Sequence, residues 1–209
     1  MQLNRSLAAW LAGLALAPAW AQTINVCTEV DDFPPFNFRS LREDKRIVGD
    51  SRGSSIAMLA QIATSLQFNL QLQRLPWARC MLAVETGRVD LALDAYYDRE
   101  RARRFDFSQP YARLTPHIFY YRPRFPDGLP STHPAALARL AGCGIRGYSY
   151  AHYGVNGQPL DQKADTHEQL VEKLKAGRCD YFFEELEVMH GFALTGRNFL
   201  ADPMLATAP

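Results

Sequence analysis

The residues best suited to chemistry stand at the ends of two similar segments. Residues 83–95 read AVETGRVDLALDA and residues 173–185 read KLKAGRCDYFFEE. Each has a helical run, then Gly-Arg-x-Asp, then three apolar residues and an acid. Gly87 therefore matches Gly177, Arg88 matches Arg178, Asp90 matches Asp180 and Asp94 matches Glu184, with a second acid at Glu185. Just past the first copy lies the charge run Asp98-Arg99-Glu100-Arg101. A guanidinium presents parallel N–H donors that fit a carboxylate fork, and a carboxylate can take an ammonium group. Those are the means of holding a small charged molecule. No H-E-x-x-H occurs, and no arrangement of Ser, His and Asp in the sequence supports hydrolysis. His117, His133, His152, His167 and His190 are scattered without metal-ligand spacing, so no metal site, cofactor or catalytic residue is expected. The Gly147-Tyr148-Ser149-Tyr150 turn is not read as a dinucleotide fingerprint: the G-x-G-x-x-G spacing of Gly142, Gly144 and Gly147 falls on the strand predicted at 143–146 rather than after it.

Each copy has the same local physics. Glycine after the last helical turn ends the helix in a left-handed conformation. The apolar run reads as a short buried strand. The acid then sits at the strand's C-terminal end, where open α/β sheets bind ligands. Pro76 suits a first helical position, with a helix over 77–86. Thr166 and Gln169 form a capping box for a helix ending at Ala176. Ser54 or Ser55 caps a third helix, 54–66, whose apolar face is Ile56, Leu59, Ala60, Ile62, Ala63 and Leu66. Strands are predicted at 24–28, 68–72, 89–94, 117–121, 143–146 and 180–183. Strands alternating with helices make the class α/β. The Pro-rich stretch 122–134 reads as a surface loop, and 106–116 as a hinge.

The chain has 209 residues, 47% of them hydrophobic, and a formal charge of +1 from 23 basic and 22 acidic side chains. With no basic surplus, nucleic-acid binding is not expected. No apolar stretch is long enough for a membrane span. Residues 1–21 read as an export signal: Arg5 is the positive region, 7–16 the apolar region and Ala19-Trp20-Ala21 the cleavage pattern. The expected location is the periplasm. In that oxidising compartment four cysteines, Cys27, Cys80, Cys143 and Cys179, read as disulfides, with three pairings open.

Several segments together resemble a known family. They are TEVDDFPPFNF (28–38), LPWARC (75–80), GRVDLALDAYYDRERARRFDFSQPY (87–111), LAGCGIRGYSY (140–150) and LKAGRCDYFFEE (174–185). The chain resembles the family 3 periplasmic solute-binding proteins of polar amino-acid uptake. The resemblance implies a two-lobe periplasmic-binding-protein-like (type II) fold with parallel-rich sheets and a hinge. Lobe 1 would occupy 22–113, and lobe 2 with the start of a crossover 114–209. The implied function is capture of an amino acid or related solute, as a monomer, for an ABC permease in the inner membrane. The alternatives are a cyclohexadienyl dehydratase-like enzyme or a sensor domain on the same scaffold. Family members run further, crossing back to lobe 1, so the chain ending at Pro209 is expected to be C-terminally truncated.

The resemblance also implies a site. Arg101 matches the arginine that clamps the ligand carboxylate, and Glu185 the acid that takes the α-ammonium; the internal repeat favours Glu184 instead. Phe33 matches an aromatic that packs on the ligand, and Ser149 lies in a loop that donates hydrogen bonds to the carboxylate, together with the following helix N-terminus. Asp94, Tyr96 and Tyr97 replace small hydroxyl residues, which points to a cationic or aromatic solute, with Glu29 and Asp32 adding negative charge. Trp77 reads as a helix-face core residue. Under the two-lobe arrangement Cys143 and Cys179 fall on neighbouring parallel strands, and Cys27 and Cys80 within lobe 1, so the expected bridges are Cys143–Cys179 and Cys27–Cys80.

Overall fold

A computed structural model describes residues 22–39, 51–155 and 159–209; the expected export segment, 1–21, lies outside them. The first lobe contains β1 (Thr23–Glu29), β2 (Phe38–Arg39), β3 (Ser51–Arg52), α1 (Ser54–Leu66), β4 (Asn69–Leu75), α2 (Trp77–Glu85) and β5 (Leu91–Ala92). Its sheet is parallel, in the order β4-β1-β5. Successive strand residues face opposite sides, and β1 uses both. Val26 packs with Ile56 and Leu59 of α1, while Cys27 packs with Trp77, Cys80 and Ala83 of α2. The C-terminal half of β1, Val26 to Glu29, is therefore buried on both faces.

The second lobe contains β6 (Pro116–Tyr121), α3 (Pro134–Leu137), β7 (Gly142–Ile145), β8 (Leu160–Ala164), α4 (His167–Lys175), β9 (Tyr181–Glu185), α5 (Leu186–Gly191) and β10 (Leu205–Ala208). The strand order is β10-β6-β9-β7-β8. β7 runs parallel to β8 and β9, whereas β6 is antiparallel to β9 and β10. Leu170, Val171 and Leu174 of α4 join Phe119, Phe182, Val188, Met189 and Phe192 in the main core. No helix among the described residues is long and apolar enough to cross a membrane.

The internal repeat is structural. Gly87 and Gly177 have φ of 69° and 66°, the left-handed conformation that ends α2 and α4. The following N–H groups close on the helix in the same pattern: Arg88 donates to the Ala83 carbonyl and Arg178 to that of Lys173, both at 2.9 Å. The Asp90 carboxylate accepts the Asn25 N–H at 2.7 Å, and Asp180 accepts the Ala141 N–H at 2.8 Å. Each aspartate also donates its own N–H to the same residue's carbonyl. Both copies thus clamp the N-terminal part of the parallel strand beside them, β1 in the first lobe and β7 in the second.

Both expected disulfides form. Cys27–Cys80 ties β1 to α2 with Cα atoms 5.7 Å apart, and Cys143–Cys179 joins neighbouring strand ends at 5.8 Å. Each bridge stays within one lobe.

Several expectations are corrected. The strand expected at 89–94 is only Leu91–Ala92, because Asp94 turns into the left-handed region with φ 64°. Neither serine caps α1; Gly53 does, with φ 120°, and a Cβ there would lie 2.1 Å from the Phe36 carbonyl oxygen. Pro76 is the N-cap of α2 rather than its first helical residue. β8, β10, α3 and α5 were not anticipated.

Candidate functional site

The loops leaving β1, β5 and β7 converge on a cavity between the two lobes. Of the arginines between 99 and 104, Arg101 alone turns inward, while Arg99, Arg103 and Arg104 are exposed. Its backbone is set by Asp98, whose carboxylate accepts the N–H groups of Glu100 at 2.9 Å and Arg101 at 2.7 Å. This is an Asx-type turn that needs a short acid at its head. The Arg101 guanidinium donates to the carbonyls of Tyr96 at 3.0 Å and Gly147 at 2.9 Å, and lies 5.8 Å from the Trp77 ring centroid. It therefore spans the cleft, since Gly147 belongs to the second lobe. Gly147 has φ 80°, and a Cβ there would stand 3.1 Å from that of Ala78. The approach of the lobes requires glycine.

Phe33, Asp94, Tyr96, Arg101 and Ser149 line this cavity, together with Thr28, Glu29, Asn37, Trp77 and Tyr148. Its volume is about 20 Å³, room for a single water molecule. Tyr97 faces an adjoining groove of about 590 Å³, walled by Phe107, Pro110 and Tyr111. The helix expected after the Gly147–Tyr150 turn is only a 3-10 turn, Ala151–Tyr153.

Glu184 and Glu185 stand behind the cavity. Glu185 accepts hydrogen bonds from the Tyr153 hydroxyl at 2.8 Å and pairs with His152 Nε2 at 2.9 Å. Burial raises the Glu185 carboxyl, but His152 and its other partners outweigh this and bring it down to about 2. His152 in turn stacks on Tyr96, with ring centroids 4.6 Å apart. Glu185 is thus placed to position the cavity wall. Glu184 meets His167 Nε2 at 2.8 Å, while His167 Nδ1 is 3.0 Å from Asp31 on the other lobe. Burial alone would strip His167 of its extra proton; Glu184 and Asp31 overcome that and push it up to about 10. Arg197 adds a second link across the lobes, donating to Asp31 at 3.0 Å and Asp32 at 2.8 Å. Sequence reading singled out Asp32 only for its charge and missed Arg197 and the role of His167. The available signal was the Thr166 capping box, which places His167 at the first position of α4.

Asp94 has three donors: Asn37 Nδ2 and Ser55 Oγ, both at 2.5 Å, and the Tyr111 hydroxyl at 3.0 Å. It also stands at the start of α1, where the helix dipole favours an anion. Its carboxylate is therefore an organiser of lobe 1 that fixes how Asn37 faces the cavity. Asp94→Ala is expected to destabilise the protein by about 1–3 kcal/mol, since three donors lose their acceptor. Chemical denaturation checks this; a midpoint equal to wild type would contradict it.

Among the described residues no group of His, Cys, Asp and Glu has the arrangement of a metal site. The cavity instead offers one cation, several acceptors and aromatic walls, which suits a polar solute.

Residues 24–131 match the model of the bacterial extracellular solute-binding proteins, family 3. Similar solved structures include a histidine kinase sensor domain with similarity to periplasmic binding proteins, 23% identical with a TM-score of 0.68 over 90% of this chain and 76% of that one. An amino acid ABC transporter substrate-binding protein from Streptococcus pneumoniae, bound to L-arginine, is 24% identical with a TM-score of 0.66 over 89% of this chain and 74% of that one. An ancestral amino acid-binding protein, a precursor of cyclohexadienyl dehydratase, is 18% identical with a TM-score of 0.65 over 90% and 77%. No curated protein sequence matches the chain.

Proposed function

Because the chain belongs to the bacterial extracellular solute-binding proteins of family 3, we propose that it captures an amino acid or related small polar solute in the periplasm, as a monomer, and delivers it to an ABC importer. The observation that carries this reading is Arg101. Its guanidinium is held in the cleft by nothing stronger than two carbonyl oxygens and an Asp98 contact of 3.6 Å. A solute carboxylate is a better acceptor for a guanidinium fork than the Gly147 carbonyl it would displace. A solute carboxylate in that place has Ser149 as a further hydroxyl partner and Phe33 and Tyr96 as walls, and opening of the cleft must also part Asp31 and Asp32 from His167 and Arg197. The S. pneumoniae structure holds L-arginine, which supports the amino-acid class. The sensor-domain structure supports a second use of the same capture step, signalling to a kinase.

A thermal-shift screen of the mature protein against amino acids and polyamines tests the reading. A ligand at 100 times its Kd adds about 2.7 kcal/mol of stability, so at least one amino acid should raise the melting temperature by several degrees. A flat response across all amino acids would overturn it.

A further inference from the structure

Asp31 and Asp32, on the loop after β1, face His167 and Arg197 of the second lobe, and none of the four lines the solute cavity. Each side is held by its own lobe. His167 is the first residue of α4, with Nε2 2.8 Å from Glu184. The Arg197 guanidinium lies 4.7 Å from the Phe192 ring centroid and donates from Nε to Thr195 Oγ1 at 3.3 Å. On the first lobe, Asp32 accepts the Arg39 N–H at 2.9 Å.

The two sides match atom for atom. Asp31 Oδ2 accepts the His167 N–H at 3.0 Å and is also 3.0 Å from Nδ1 of that ring, while Oδ1 accepts Arg197 Nη1 at 3.0 Å. Arg197 Nη2 donates to Asp32 at 2.8 Å, so one guanidinium spans two carboxylates. Charge-assisted hydrogen bonds of this kind are about twice as strong as neutral ones. Apolar packing continues the contact. Phe33 belongs to the same buried cluster as Val188, Met189 and Phe192 of the second lobe. A Cβ on Gly191 of α5 would stand 2.6 Å from the Pro34 carbonyl oxygen, an approach open only to glycine. Every one of these contacts is between protein atoms, so closure makes them whether or not a solute is present.

Resting on the reading of the cleft as an amino-acid site that opens and closes, we propose that Asp31, Asp32, His167 and Arg197 form a latch that holds the lobes together without a solute, and so set the affinity for every solute while touching none. The apparent affinity of a ligand for the closed form scales with the fraction of free protein already closed. The latch raises that fraction, and it slows the opening that release requires. Its loss therefore weakens all solutes by one common factor. Loss of a residue in the cavity instead changes the ratio between solutes, because specificity is a difference of contacts.

Small-angle scattering and calorimetry on wild type and Arg197→Gln test the proposal, with lysine and glutamine as the two probes. Solute-free wild type should scatter as compactly as wild type saturated with lysine. Solute-free Arg197→Gln should be expanded and should contract when lysine is added. Both amino acids should lose affinity in the variant by the same factor, in the range of about 5–150-fold for a coupling between sites. A solute-free wild type already expanded, a solute-free variant as compact as wild type, or unequal losses for the two probes would overturn the latch. A role confined to folding would lower the melting temperature and leave both the scattering and the affinities of the folded protein unchanged. Should Arg197→Gln not fold, Asp32→Asn gives the same comparison, since it keeps the side-chain shape and His167 retains Asp31. If neither amino acid binds wild type, the amino-acid reading falls, and the scattering of the solute-free proteins decides the latch by itself.

Discussion

Arg101→Ala is expected to weaken binding of any carboxylate-bearing solute by about 100-fold or more, with the fold retained. Truncating one partner of a buried charge pair costs about 2–5 kcal/mol, and here the stranded partner would be the solute carboxylate. The variant also loses the bond to the Gly147 carbonyl that joins the lobes. That contact is a single hydrogen bond, worth about 1 kcal/mol, so the folded state survives its loss. Arg101→Lys separates charge from geometry: a lysine keeps the positive charge but offers no fork, and an intermediate affinity is expected. Isothermal titration of the purified variants reads both. Near wild-type affinity in Arg101→Ala would remove the arginine from the site.

His167→Ala is expected to cost about 3–5 kcal/mol of folding stability, the loss that follows when buried carboxylates are left without their cation. Asp31 would retain Arg197, but Glu184 would keep only the N–H of Glu185, at 3.2 Å. In a protein of this size that is about 10 °C in melting temperature. The effect depends on pH. His167 is raised from 6.5 to about 10, so its contribution is fully present below about 6.5 and disappears as pH climbs through about 10. Glu29, raised from 4.5 to about 7, costs stability progressively across that lower interval. Both slopes have the same sign, so the solute-free wild type should melt at lower temperature as pH rises from about 5 to about 9. On the acid side, Asp31 and Glu185 are held below their ordinary range and lose their contribution as they are protonated. In His167→Ala the decline above about pH 6.5 should flatten. A loss under about 1 kcal/mol, or an unchanged slope, would show that the imidazole is neutral packing.

Sequence reading succeeded where local physics decides. α1, α2 and α4 end within one residue of expectation, because their apolar faces and terminating residues are local signals. Cys143–Cys179 followed from strand adjacency, and Cys27–Cys80, between a strand and a helix, from the assignment of both to the first lobe. β8 was missed because Leu-Asp-Gln-Lys-Ala has no apolar alternation; it is an edge strand whose Asp161 pairs with Lys173 on the neighbouring helix. β10 was missed for a related reason: it pairs with β6, a strand 84 residues upstream by the Leu205–Tyr121 register, and its four residues carry no pattern of their own. The interlobe acid–histidine link joins residues 136 and 17 positions apart, a separation at which no sequence motif exists. The repeat misled in one respect. It aligned Asp94 with Glu184 as equivalent acids, yet one turns back onto its own lobe and the other bonds a histidine.

The central claim is that the cleft holds a solute by its carboxylate. Titration of the solute-free wild-type protein with lysine and with its decarboxylated counterpart, cadaverine, tests it most directly. The two share chain and side-chain ammonium and differ only in the group Arg101 is placed to grip. Lysine binding at least about 100-fold more tightly than cadaverine is the predicted result. Equal affinities, or a preference for cadaverine, would contradict the account.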